Sequence, residues 1–146
     1  MLRISTEKSE LDIPLIHQFL SEQTYWAKGI PLATVQSAIE HSLCFGGFVG
    51  VEQVAFARVI TDQATFANLV DVFVLPAHRG KGYGKALVAA IMACPELQGL
   101  RRFTLATSDA KGLYERFGFA APARPGSLME RYFPEIYAKA SSSGGH

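Results

Sequence analysis

The chain has 146 residues, of which 49% are apolar and 18% charged, and its formal net charge is +1. These values fit one globular domain that buries roughly two thirds of its unfolded surface, and they exclude a disordered chain. So small a net charge excludes a nucleic-acid binder driven by overall charge, though not a local basic patch.

Residues 1–10 carry charges of both signs and no apolar core, so no secretory leader is expected. The longest apolar run, Ala86 to Cys94, has nine residues, far short of the ~20 that span a bilayer. Cys44 and Cys94 match no metal spacing and each lies in an apolar context. They read as reduced core thiols of a cytoplasmic protein. Residues 1–140 are expected to form one domain. The Ser- and Gly-rich tail 141–146 reads as disordered.

In chain order, residues 2–6 read as a short strand. Asp12 to Gln23 reads as a helix, with Ile13, Ile16 and Leu20 near one face and His17 at its boundary. Gly29 and Pro31 break the pattern. A second helix starts at Pro31, a favoured first position, and places Leu32, Val35 and Ile39 on one face. Three strand-like runs follow, Leu43–Val51, Gln53–Thr61 and Phe66–Leu75. Their links at residues 50–52 and 61–64 are short, which predicts an antiparallel meander. The run Ala86–Cys94 is helical in spacing and stops at Pro95. Arg102–Thr107 reads as a strand parallel to the third run, completing a βαβ unit. Asp109–Phe117 reads as a short helix capped by Asp109 and closed by Gly118. A final strand is expected near Leu128–Phe133. The order β-α-α-β-β-β-α-β-α-β predicts an α/β fold: a mixed, mostly antiparallel sheet flanked by helices.

The most informative stretch joins the third strand to the following helix: Val74-Leu75-Pro76-Ala77-His78-Arg79-Gly80-Lys81-Gly82-Tyr83-Gly84-Lys85. A strand that turns through glycines into a helix N-terminus directs several unpaired N–H groups at one point, and the helix dipole adds positive character. That arrangement suits a phosphate. The bland reading is a connecting turn, but three glycines at alternate positions with three flanking cations exceed what a connection needs. The P-loop pattern is absent, and Lys85 occupies the place of the third glycine of a dinucleotide fingerprint.

This stretch resembles the acyl-CoA pyrophosphate loop of the GNAT family of N-acetyltransferases. The run Leu113-Tyr114-Glu115-Arg116-Phe117-Gly118-Phe119 is similar to a second motif of that family at the expected distance. The resemblance covers about residues 30–133. It implies acetyl-CoA as cofactor, with Arg79, Gly80, Lys81, Gly82, Tyr83, Gly84 and Lys85 around the pyrophosphate. It also implies that a backbone N–H of Val72, Phe73 or Val74 holds the oxyanion while a primary amine attacks the thioester directly. Tyr114 would protonate the departing thiolate, as such a leaving group requires; its bland reading is a core aromatic.

Two departures from the family pattern concern chemistry. Relatives place Glu or His at the positions of Asn68 or Val70, and neither residue here can accept a proton. Asp71 is the nearest carboxylate, with Asp62 a second candidate; the alternative for Asp71 is a partner for a backbone or arginine donor. Many relatives carry Asn at the position of Thr107. Thr107, Ser108 or Asp109 is then left to contact the pantetheine arm. Tyr25, Trp26, Phe45 and Arg58 are the aromatic and polar residues available to an acceptor. The aromatic side chains suit an amine and Arg58 suits a carboxylate. The resemblance implies a small-molecule or peptide amine as partner. Homodimers are common in the family; from the charge, apolar runs and cysteine spacing above, no nucleic acid, membrane or metal is expected. The alternative function is a non-catalytic acyl-CoA-binding or sensing module.

Overall fold

The computed structural model describes residues 1–138. The elements in order are β1 (Arg3–Ser5), α1 (Ile13–Gln23), α2 (Leu32–Glu40), β2 (Leu43–Val49), β3 (Glu52–Thr61), β4 (Phe66–Val74), α3 (Tyr83–Ala93), β5 (Arg102–Leu105) and α4 (Lys111–Glu115). The strands form one sheet in the order β1-β2-β3-β4-β5. Every pair is antiparallel except β4 with β5, which is parallel. This is the mixed, mostly antiparallel α/β fold that the residue pattern predicts.

The chain divides into two compact units. The first, Met1–Leu11 with Ile39–Phe119, holds the sheet, α3 and α4. β-Branched and aromatic residues alternate along β2 to β4, and one face of the sheet buries Phe45, Ala57, Val59 and Leu69 against Leu87, Val88 and Ile91 of α3. The opposite face brings the Phe56 and Phe73 rings to 5.8 Å between centroids. The β3–β4 turn is built on Asp62. Its carboxylate accepts from the N–H groups of Ala64, Thr65 and Phe66 and from the Thr65 hydroxyl. Those four bonds hold the carboxyl well below its usual range. Asp62 is thus a turn residue rather than the proton acceptor that the sequence offered as a second candidate.

The second unit begins at Asp12, whose side chain accepts from Leu15 N–H and caps α1. Ile16, Phe19, Leu20, Ala27, Ile30 and Val35 are its buried apolar residues. His17 Nε2 lies 2.9 Å from the Ile30 carbonyl oxygen, so it braces the loop after α1. Leu32, expected on the buried face of α2, is exposed.

Residues 128–133 carry no regular secondary structure, contrary to the expected final strand. Leu128, Met129, Tyr132 and Phe133 have the right composition for one, but all four are exposed. Strand propensity reflects burial on a pleated surface, and Pro125 and Pro134 closely bracket the segment. The tail 141–146 lies outside the described residues.

Candidate active site

Three backbone features of the first unit build the site. The first is a bulge in β4. Phe56 pairs with Phe73 and Arg58 with Val70, so three steps of β4 match two of β3. The extra residue falls at Asp71–Val72, and Asp71 has φ 57°. Only a few non-glycine residues adopt that conformation, and Asp is among the better tolerated. The bulge resets the alternation. Ala67 and Leu69 face the α3 core before it, Val72 and Val74 after it.

The second feature is the parting of β4 and β5. Their pairing runs from Phe66–Arg102 to Leu69–Leu105 and stops there, just before the bulge. Leu75 N–H donates to the Val54 carbonyl at 2.8 Å. Alternation along the ladder then turns Phe73 toward β3 and Val74 away from it. The N–H group of Val74 therefore points to the side on which β5 no longer pairs. Arg79 Nε donates to the Val74 carbonyl from that side, at 2.9 Å, and so ties the glycine loop to the strand end.

The third feature is the loop itself. Gly80 (φ 80°) and Gly82 (φ 82°) take left-handed conformations, and Gly82 is the N-cap of α3. The first α-helical bond runs from Ala86 N–H to the Gly82 carbonyl. The preceding N–H groups of Tyr83, Gly84 and Lys85 thus lack helical acceptors. Nothing lies within 4 Å of a side-chain carbon built at Gly80, Gly82 or Gly84. Lys81 and Lys85 are exposed beside them. Donors, open space and cations fit a pyrophosphate.

Tyr114 sits on α4, 7% exposed, with its ring 6.1 Å from that of Phe119. Burial, and then the negative charge of Asp109, push its phenol above the ordinary tyrosine range. It is a neutral O–H donor at physiological pH. Gly118 (φ 90°) closes the turn after α4 as expected. Asp109 does not cap that helix, which starts at Lys111. The Thr107 hydroxyl accepts from Ala110 N–H at 3.1 Å and organises the turn instead. Ser108 is exposed. Asn68 accepts from the Thr104 hydroxyl at 2.8 Å, a link between β4 and β5.

Asp71 is 8% exposed and its Oδ2 accepts from Arg58 Nε at 2.9 Å. Arg58 Nη1 reaches the Ser42 hydroxyl at 3.1 Å. Of the two sequence readings of Asp71, the arginine partner is the one present. Arg58, expected to face an acceptor carboxylate, is committed within the sheet. Ser42 was not anticipated; a lone serine before a strand gives no signal of such a role. Phe45, also expected to face the acceptor, is 2% exposed and belongs to the core under α3. Tyr25 and Trp26 lie in the second unit with their rings edge to face at 5.1 Å. They line a pocket of about 390 Å³ together with Lys28, Glu135 and Tyr137.

The comparisons with known proteins agree with this architecture. The family profile described as the acetyltransferase (GNAT) domain matches residues 40–121. A protein of Gibberella zeae that bears an acetyltransferase name is 32% identical over 133 residues, covering 76% of this chain and 74% of its own. A crystal structure of a GNAT-family protein from Xanthomonas campestris pv. campestris is 67% identical. It superposes with a TM-score of 0.93, covering 94% of this chain and 97% of that one. The glucosamine-6-phosphate N-acetyltransferase of Arabidopsis thaliana shares the fold at 18% identity, with a TM-score of 0.64, covering 91% and 99%. The chain belongs to the GNAT family of acetyltransferases.

Proposed function

We propose that residues 1–140 act as one cytoplasmic, acetyl-CoA-dependent N-acetyltransferase domain that acetylates a small-molecule or peptide primary amine by direct attack. The observation that carries this reading is the presence, within one unit, of the glycine loop, the end of β4 that runs beyond its pairing with β5, and the neutral phenol of Tyr114 packed in the same cluster as Val72 and Val74. Acetyl-CoA supplies the acyl group as a thioester.

The loop N–H groups from Gly80 to Lys85, with Lys81 and Lys85, hold the pyrophosphate. Thr107 and Ser108 flank the pantetheine arm. Val72 N–H, at the bulge, would donate to the thioester oxygen as negative charge builds there. A preorganised amide of this kind contributes a few kcal/mol. Tyr114 would give its phenolic proton to the departing sulfur and regain one from solvent. Its raised pKa keeps that proton available. Asp71 already has a proton-donating partner in Arg58, so we assign the amine's proton to solvent and Asp71 to the backbone. Within the second unit, Tyr25 and Trp26 present aromatic faces and Glu135 a carboxylate, groups that suit a cationic amine.

The test is thiol release from acetyl-CoA against amines, amino acids, polyamines, aminosugars and peptides, with acetyl-CoA calorimetry on the same sample. Amine-dependent thiol release is expected. Tight binding without turnover on any amine would favour the sensing module, and no binding would overturn both.

A further inference from the structure

We propose that Ser42, Arg58 and Asp71 form a clamp that holds the β4 bulge in its left-handed turn, which makes Arg58 a positioning residue for acetyl transfer. The proposal rests on the acetyl-transfer reading above, with Val72 N–H as the donor to the thioester oxygen.

A non-glycine residue at φ 57° inside a strand is disfavoured, and it persists only where its surroundings over-determine it. Here the surroundings are named. Asp71 Oδ2 is fixed by Arg58 Nε at 2.9 Å, across the register shift that defines the bulge. Arg58 is fixed in turn by Ser42 Oγ at 3.1 Å, at the start of the adjacent strand β2. Three neighbouring segments of the sheet are thereby pinned to one carboxylate. Both ion-pair partners are largely buried, with side-chain exposures of 16% and 7%. A buried carboxylate must keep such a partner, so the pair resists rearrangement.

The residue after Asp71 is Val72. A change of φ at Asp71 rotates the Val72 peptide, so relaxation of the bulge misaims the amide that the reaction uses. The clamp therefore acts on rate more than on cofactor affinity, which resides in the Gly80–Lys85 loop. Misplacement of a catalytic group by about 1 Å can cost on the order of a hundredfold in rate.

The experiment compares wild type, Arg58→Met, Arg58→Met/Asp71→Gly, Arg58→Met/Asp71→Ala and Ser42→Ala. The readings are kcat, acetyl-CoA affinity by calorimetry, and the backbone amide resonance of Val72. Arg58→Met should lower kcat at least ~tenfold, leave acetyl-CoA affinity within about threefold, and shift the Val72 resonance. Glycine takes φ 57° without help, so Asp71→Gly should restore most of the loss and return the resonance. Alanine removes the same charge but strains at that φ, so Asp71→Ala should not restore it. Ser42→Ala keeps the ion pair and should give a smaller loss of the same kind, which covers the case in which Arg58→Met fails to fold. Equal rescue by glycine and alanine would overturn the clamp, since removal of the buried charge would then suffice. Failure of glycine to rescue would overturn it as well. If wild type acetylates no amine, the acetyl-transfer reading falls, and the Val72 resonance across the same variants still decides the clamp.

Discussion

Replacing Gly82 by Asp probes the phosphate assignment most directly. Gly82 sits at φ 82° as the N-cap of α3, with open space where a side chain would start. The protein itself therefore opposes the substitution only through backbone strain, about 1 kcal/mol for a residue that tolerates the left-handed region. A bound pyrophosphate opposes it far more strongly. A carboxylate about 5 Å from one phosphate charge, at an effective dielectric of about 20, is repelled by about 3 kcal/mol. That corresponds to weakening of roughly a hundredfold or more. Gly82→Asn is the matched control, because it shares the backbone tolerance and the bulk without the charge. Acetyl-CoA calorimetry on both variants, folded by circular dichroism, should show Asp binding at least ~100-fold more weakly than Asn. The gap should narrow as salt rises. Equal affinities for Asp and Asn would refute the assignment of the loop to the pyrophosphate.

Tyr114→Phe should lower kcat with acetyl-CoA affinity nearly unchanged. Because the phenol lies above the ordinary range, the wild-type rate should show no tyrosine-dependent fall below about pH 10. An unchanged rate in the Phe variant, with chemistry limiting, would make Tyr114 a packing residue only. Asp62→Asn should lower Tm by weakening the β3–β4 turn. The folded carboxyl titrates below its unfolded value, so its contribution is present above about pH 4. It fades as pH falls toward the folded value, and thermal melts of the two proteins should converge in acid. Leu87→Ala empties a fully buried site under the sheet and should cost about 2–5 kcal/mol in denaturant unfolding. A cost below about 1 kcal/mol would place α3 outside the core.

Much of this architecture is legible from side chains whose preference is local. β-Branched and aromatic runs mark β2 to β4, and Gly80, Gly82 and Gly118 mark turns that need positive φ. The bulge is not legible. Residues 69–74 are apolar on both sides of Asp71, so an extra residue leaves no break in the alternation until pairing with β3 is known. Asp in a strand was the one hint, and its left-handed tolerance the physical reason. Arg58 was misplaced for a related cause. A charged residue in a strand suggests a ligand until its partner, thirteen residues away in sequence, is in view. Residues 128–133 show the converse failure, since strand-like composition does not make a strand where the side chains stay exposed.

Cys44 and Cys94 are both buried and are not joined in a disulfide. Burial pushes the Cys44 thiol up to about 11 and raises that of Cys94 as well. Acetyl transfer from a thioester liberates a free thiol at every turnover, and in air that thiol becomes a disulfide. Exchange with such a disulfide requires an accessible thiolate, and these two sulfurs offer little of one. On the acetyl-CoA reading proposed above, the protein would thereby be insulated from capture by the reaction's by-product, and native protein should label only slowly with a disulfide reagent until it unfolds.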